Sequence, residues 1–280
     1  MVLLELMIHM QQYKDYHKGE RMLNYAKLAD ISKWQGDIDY NIFSSQDLSG
    51  VIVRAGSINY GTGIPYTDYK FEINADKCAE HFKVLGFYWF WRANQDPTLQ
   101  ARYFCDLIKY KKWNLPPVAD VEASNGIEAG LLRSRLKTFL DVVETLSDIR
   151  PIIYTRASFW NIAVGNPSWA KNYPLWCARY RYLDGNLEPD ITGPWADGRF
   201  KPSSWNNWLL WQYSADHNGL GHMYGMDGDD IDLNYFNGTE EDLYKFAKVT
   251  EEPQPPIEEK VEINRKLALS LHEELKGVFI

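Results

Sequence analysis

Pro116-Pro117-Val118-Ala119-Asp120-Val121-Glu122, followed by Ala123-Ser124-Asn125-Gly126, is the stretch on which the fold turns. Two prolines open it, a short apolar run carries it, two acids close it and a loop signal follows. That order reads as a buried strand whose last residues face a site. Residues i and i+2 of a strand share a face, so Asp120 and Glu122 project together, with Cα atoms about 6–7 Å apart at a rise of about 3.3 Å per residue. Carboxylates that close cannot both ionise freely, because each charge disfavours the other and burial disfavours both. One tends to keep its proton, which is what an acid catalyst near neutral pH requires, and glycosidic bonds are hydrolysed by such pairs. Without context, the same tripeptide also fits an ordinary exposed strand edge.

Working outward, strands and helices alternate. Lys27-Leu28-Ala29-Asp30-Ile31-Ser32-Lys33-Trp34 reads as a first strand with Asp30, Ser32 and Trp34 on one face, and residues 50–56 as a second. Residues 73–85 carry Ile73, Lys77, Cys78, His81, Phe82 and Leu85 at helical spacing, and 86–91 is an aromatic strand. Pro97 opens a helix to about residue 112 with Leu99, Tyr103, Leu107 and Tyr110 along one side. Asn125 with Glu128 resembles a capping box, and Leu132, Leu136, Phe139, Val143 and Leu146 then repeat at helical spacing. Residues 150–155 form the fifth strand and 157–164 a shorter helix. Beyond them, 173–179, 208–214 and 231–236 are strand-like but joined by loops. The fold class is therefore α/β: an irregular TIM-like (β/α)-barrel of about five βα units followed by three loop-connected strands, with its chemistry at the C-terminal strand ends.

Composition narrows the partners. A net charge of −8 with no long Lys/Arg run argues against nucleic acid. No run of about eighteen apolar residues exists to enter a membrane. Cys78, Cys105 and Cys177 are widely spaced and read as buried thiols. The acid-rich run Asp227-Gly228-Asp229-Asp230-Ile231-Asp232 lacks the glycine and glutamate of an EF-hand loop, so no metal and no cofactor are expected. Eleven Trp and eighteen Tyr exceed the needs of an ordinary core, and serve either a large barrel interior or the faces of sugar rings.

The domain reading is a leader over residues 1–26, a barrel over 27–250, a Glu/Pro-rich linker over 251–262 and a short helix over 263–280 spaced by Leu267, Leu271 and Leu275. The leader has no basic n-region, and Glu5 interrupts its apolar run, so no classical secretion signal is read.

Four motifs in order, Asp30-Ile31-Ser32, Asp120-Val121-Glu122, Leu210-Trp211-Gln212-Tyr213 and Ile231-Asp232-Leu233-Asn234, resemble the signature of glycoside hydrolase family 25, the Chalaropsis-type lysozymes. The resemblance covers about residues 27–238. It implies a muramidase that hydrolyses the β-1,4 bond between N-acetylmuramic acid and N-acetylglucosamine in peptidoglycan, without a metal. It makes Glu122 the general acid, gives Asp120 the substrate's 2-acetamido group, and has Asp30 and Asp232 complete an acidic floor. Asp30 and Asp232 lie on the first and last strands, which are neighbours when a barrel closes. Asp232 with Asn234 also fits a structural network at a strand end. Tyr88, Tyr154 and Trp211 are the expected sugar platforms, with Arg54 and Asn234 as further substrate contacts, while Trp89 and Trp91 pack under helices. Arg54 would pair with a floor acid or cap its strand.

The competing functions are a chitin-directed glycosidase, whose longer acidic run is absent because Pro116, Pro117 and Val118 occupy the positions before Asp120, and a non-catalytic glycan-binding barrel, in which loss of the acids would be expected. The expected partner is the bacterial cell wall, met by a monomer, with the last helix as the place an oligomer would form. The expected setting is that of a phage endolysin made in the host cytoplasm, with a secreted enzyme as the alternative. A chain ending at Thr250 is expected to fold and to cleave soluble muropeptide chains at near wild-type rate. An unfolded or inactive product would show that the Leu267, Leu271 and Leu275 face packs on the barrel.

Overall fold

The computed structural model describes residues 25–180, 192–198, 201–215 and 219–250. The chain divides into two units, Met1–Lys248 and Val249–Ile280, and the fold below is that of the first. The expected leader up to residue 24, the linker and the terminal helix lie outside the described residues.

Among these residues nine strands form one sheet: β1 (Lys27–Ile31), β2 (Gly50–Ile58), β3 (Pro65–Thr67), β4 (Leu85–Phe90), β5 (Val118–Asp120), β6 (Ile152–Arg156), β7 (Leu175–Ala178), β8 (Leu210–Ser214) and β9 (Asp232–Phe236). Strands β1, β2 and β4 to β8 run parallel in that order. Strand β9 runs antiparallel to both β8 and β1, closing an eight-stranded barrel. The short β3, absent from the sequence reading, folds back on the end of β2. The reversal of β9 has a simple cause. Among the described residues the connection from β8 to β9 holds only a 3-10 turn, Gly221–Tyr224, and no crossover helix, so the chain stays at the C-terminal mouth and descends directly, as an antiparallel neighbour allows. Asp232, the first residue of β9, therefore stands at the same mouth as the last residues of the other strands, directly opposite Asp30 in register.

Strand alternation sorts the side chains into two layers. Ala29, Val51, Val53, Phe87, Trp89, Ala119, Ile153, Cys177, Trp211 and Leu233 point outward into the core under the helices. Leu28, Ile52, Val118, Ile152 and Leu210 point inward and close the bottom of the barrel with no exposure at all. One period higher, the inward positions become Asp30, Arg54, Tyr88, Asp120, Tyr154 and Gln212. An apolar plug below thus carries a polar layer above it, in the layered manner of barrels whose chemistry sits at the C-terminal face.

The helices are α1 (Tyr40–Ser44), α2 (Phe71–His81), α3 (Pro97–Ile108), α4 (Ala129–Ser147), α5 (Ala157–Phe159, continuing as a π-turn through Val164) and α6 (Glu240–Phe246). Helix α4 buries Leu132, Leu136, Phe139, Leu140 and Val143, as its spacing predicts, while Leu146 is exposed. On α2 and α3 the expected faces shift by a residue or two. The buried sides are Phe71, Asn74, Ala75 and Cys78, and then Gln100, Ala101, Phe104, Cys105 and Ile108, leaving Ile73 and Leu99 outside.

Three local corrections bear on the mouth. Strand β1 stops at Ile31, because the Ser32 hydroxyl accepts the Trp34 N–H at 3.2 Å and Gln35 Oε1 accepts the Ser32 N–H at 2.7 Å, winding Lys33–Gln35 into a 3-10 turn. Strand β5 stops at Asp120, so Glu122 lies just past its end. Helix α4 is capped by Glu128, whose carboxylate accepts the Gly130 and Leu131 N–H groups. Asn125 instead takes φ 50° and accepts the Ala93 N–H at 3.0 Å, tying the loop after β5 to the loop after β4. The three cysteines are buried free thiols. No helix among the described residues is long and apolar enough to cross a membrane.

Candidate active site

The mouth of the barrel encloses a cavity of about 230 Å³, into which Asp30, Asp120, Glu122 and Asp232 all project, with Arg54, Tyr88, Phe90, Tyr154, Trp176, Tyr180, Gln212 and Trp34.

Asp30 is built into a hydrogen-bond network. Its Oδ2 accepts Gln212 Nε2–H at 2.9 Å and Asn234 Nδ2–H at 2.8 Å. The far ends of those amides are filled in turn. Gln212 Oε1 accepts the Tyr154 and Tyr180 hydroxyls at 2.7 and 2.9 Å, and Asn234 Oδ1 accepts the Trp176 indole N–H at 2.8 Å. Burial pushes the Asp30 carboxyl up to about 6; the amide donors and a hydrogen bond with Asp232 pull the other way. The same groups form the aromatic wall, where Trp176 meets Tyr154 edge-on at 4.8 Å and Tyr88 at 6.5 Å.

The β5 side is different. The backbone around it is clamped, since Trp91 N–H donates to Asp120 O, Val121 N–H to Tyr154 O, and the Thr155 hydroxyl to Val121 O. The carboxyls themselves are left open. Asp120 is buried, and its Oδ1 has no hydrogen-bond partner among the described residues. Burial, then the charge of Glu122, push its pKa well above the usual carboxylate range, while Arg54 opposes them. Glu122, half-buried, is also raised by burial, with Arg156, Arg54 and Arg92 opposing. Side by side, the two carboxyls each disfavour ionisation of the other.

The arginines bracket this pair. The Arg54 guanidinium lies 5.2 Å and the Arg92 guanidinium 4.5 Å from the Phe90 ring. Arg54 reaches the buried Asp68 at only 4.0 Å, and its Nε has no hydrogen-bond partner among the described residues.

Of the residues singled out from the sequence, Asp30, Arg54, Tyr88, Asp120, Glu122, Tyr154 and Asp232 line the cavity. Two do not. Trp211 is fully buried on the outer face of β8, its N–H donated to Arg179 O at 2.7 Å and its ring packed against Trp208 and Tyr235, so it offers no platform to a sugar. Asn234 has no exposure and acts on Asp30 instead of on a ligand. Trp176, Tyr180, Phe90 and Gln212 were missed. Gln212 carried a readable signal: one amide in the apolar strand Leu210-Trp211-Gln212-Tyr213, of opposite parity to Trp211. The acidic run at 227–232 is folded against the 33–39 segment through Asp227 N–H to Asp37 O and Gly228 N–H to Gln35 O. Among the described residues no three His, Cys, Asp or Glu side chains are grouped to hold a metal.

What such a mouth can do is protonate a leaving oxygen and steady the charge that develops on a sugar ring, and this on a (β/α)-barrel defines a glycoside hydrolase. The comparisons with known proteins make the class specific. The sequence pattern of Glycosyl hydrolases family 25 matches residues 29–222, well over half of the chain, and the chain belongs to that family. Lysozyme M1 of Streptomyces globisporus is 30% identical over 238 residues, covering 79% of this chain and 71% of its own. The N,O-diacetylmuramidase of Chalaropsis sp is 24% identical over 233 residues, covering 78% of this chain and 97% of its own. The crystal structure of the bacterial lysozyme from Streptomyces coelicolor superposes with a TM-score of 0.65 at 26% identity, covering 82% of this chain and all of that one. The protein is a lysozyme, a glycoside hydrolase of peptidoglycan.

The raised Asp30 carboxyl has a consequence for stability. An unperturbed Asp titrates at 3.8 and Asp30 at about 6, so between these values the folded chain holds the extra proton and stability falls as pH rises. Asp30→Asn removes the buried charge. It is expected to stabilise the fold at pH 7 by on the order of 2–3 kcal/mol, with the gain fading towards pH 4, as thermal unfolding at the two pH values would show. An equal gain at both pH values would mean that the buried charge is not its source.

Proposed function

We propose that this lysozyme cleaves the β-1,4 bond between N-acetylmuramic acid and N-acetylglucosamine, with Glu122 as the general acid and the substrate's own 2-acetamido oxygen as the nucleophile. The observation that carries this reading is the unpartnered Oδ1 of the buried Asp120 beside Glu122. Before substrate arrives, burial and the charge of Glu122 both disfavour the ionised form of Asp120. An acetamido N–H donated to Asp120 supplies the missing partner, favours the ionised form and leaves the proton to Glu122.

Glu122 then gives that proton to the departing O4 as the bond to C1 breaks. The acetamido oxygen bonds to C1 from the opposite face, and the positive charge spread over the ring and amide is balanced by the Asp120 carboxylate. In the second half, ionised Glu122 takes a proton from water, whose oxygen attacks C1 as the bond from C1 to the acetamido oxygen breaks, which restores the acetamide with net retention. A covalent alternative needs a carboxylate across the sugar from Glu122. Asp120 leaves the same strand on the same side. Asp30 already has its Oδ2 engaged by two amides, which lowers its nucleophilicity. Asp30 and Asp232 serve instead as the negative floor beneath the developing charge.

Glu122→Gln keeps the shape and removes the proton, so wall lysis should fall by about 10²–10⁴-fold with thermal unfolding unchanged. Wild-type-like lysis by this variant would remove Glu122 from the acid role. Walls whose muramic acid has been N-deacetylated should resist the wild-type enzyme strongly while still binding it. Equal cleavage of acetylated and deacetylated walls, a glycosyl ester trapped on Asp30, Asp120 or Asp232, or an inverted product would each refute participation by the acetamido group.

A further inference from the structure

The rim of the cavity carries a second feature that the chemistry at Glu122 does not use. Trp34 and Tyr69 are each 72% exposed, large aromatic rings left in solvent by a protein that buries most of its tryptophans. They share one cation: Lys33 Nζ lies 4.7 Å from the Trp34 ring centroid and 5.9 Å from that of Tyr69. Trp34 lines the catalytic cavity, so the pair continues outward from it.

The arrangement is held from beneath by a buried carboxylate. Asp68, 2% exposed, accepts the Lys33 N–H through Oδ2 at 3.3 Å and the Lys70 N–H through Oδ1 at 3.0 Å. One acid thereby staples the 3-10 turn after β1 to the segment after β3 and fixes the backbones on either side of the two rings. The 3-10 turn, which takes Trp34 out of β1, is itself fixed by Ser32 and Gln35. Both rings are thus presented on braced backbone, which reduces the entropy lost when they meet a ligand. The two lysines here also differ. Lys70 is committed to Asp37, whereas Lys33 has no carboxylate partner among the described residues, on a chain of net charge −8.

Two exposed rings with an uncommitted ammonium between them suit a ligand with apolar sugar faces and an anionic substituent. We propose that Trp34, Tyr69 and Lys33 form an outer subsite that holds the glycan strand beyond the cleaved bond, the rings stacking on sugars and Lys33 pairing with a carboxylate carried by the strand. This inference rests on the muramidase reading above. It adds a specificity element to it: strands bearing carboxylates are preferred over neutral amino-sugar strands of equal length. A neutral chitin oligosaccharide can use the rings but leaves Lys33 unpaired.

The test is calorimetric binding to the full chain carrying Glu122→Gln, so that no ligand is cleaved, using muramyl glycan oligosaccharides with free carboxylates and chitin oligosaccharides of the same length. Trp34→Ala and Tyr69→Ala should each weaken binding of both ligands by about 3- to 10-fold, with Trp34→Tyr restoring most of the loss. Lys33→Met should weaken the carboxylate-bearing ligand about 3-fold or more and spare the chitin oligosaccharide. Tyr110→Ala serves as the control. That ring is also exposed and also lies beside a lysine, but at the opposite end of the barrel, and its removal should change neither affinity.

Unchanged binding in Trp34→Ala and Tyr69→Ala would overturn the subsite, and equal losses for both ligands in Lys33→Met would overturn the carboxylate preference. Either result leaves the muramidase reading standing if the unsubstituted chain still lyses walls. A chain that neither binds the muramyl ligand nor lyses walls would bring down that reading and the subsite with it.

Discussion

The Asp30 carboxyl, buried in the barrel and held by one amide from β8 and one from β9, is the constraint around which the rest of the mouth is arranged. A carboxylate in a protein interior is costly unless donors are brought to it, and a donor that is itself buried must have its own acceptor filled. Gln and Asn meet both demands, because each carries N–H groups on one side and a carbonyl on the other. Their carbonyls are closed by Tyr154, Tyr180 and Trp176, which are also the walls of the cavity. Acidic floor, hydrogen-bond network and aromatic wall are therefore one structure. Loss of Gln212 or Asn234 would expose Asp30 to an unmet desolvation cost and leave tyrosine or indole donors without a partner.

The opposite half of the mouth is left incomplete. On β5 the backbone is clamped by its neighbours, while Asp120 Oδ1 lacks a hydrogen-bond partner among the described residues and Glu122 lies in the field of three arginines. Completing one half and leaving the other open separates support from chemistry. The finished half has its hydrogen bonds without a ligand; in the mechanism proposed above, the open half gains its partner from an amide-bearing sugar. The cost falls on folding stability, as expected where a site is built from raised carboxyls in a dry interior.

The reversal of β9 connects these halves to the topology. Were β9 parallel, its first residue would lie at the bottom of the barrel among Leu28, Ile52 and Val118, where an ionisable group has no water and no donor. Running down from the mouth, it brings Asp232 opposite Asp30 and places Asn234 one inward period below, within reach of the same carboxyl. Omitting a crossover helix is thus what lets the last strand complete the acidic floor.

Much of this was legible in the chain itself. The run from Pro116 to Glu122 marks a buried strand ending in acids, because prolines, an apolar run and a loop signal are local facts. The spacing of Leu132, Leu136, Phe139 and Val143 marks α4 for the same reason, and four short motifs in order indicate the family. What was misread depended on contacts between distant segments. Trp211 reads as a sugar platform from the chain alone, but the parity of β8 is set by its register with β7 and β9, and a shift of one residue exchanges the inner and outer faces. Asn125 reads as a helix cap, but its partner is Ala93, on another loop. Trp34 reads as part of a strand that Ser32 and Gln35 end by winding it into a turn. Local patterns in the chain give the order of the eight barrel strands and the family, and they mark the four acids that line the cavity. Which side of each strand meets the cavity, and which acid is satisfied, rests on contacts across the fold, because hydrogen-bond partners drawn from strands far apart in the chain leave no local periodicity to read.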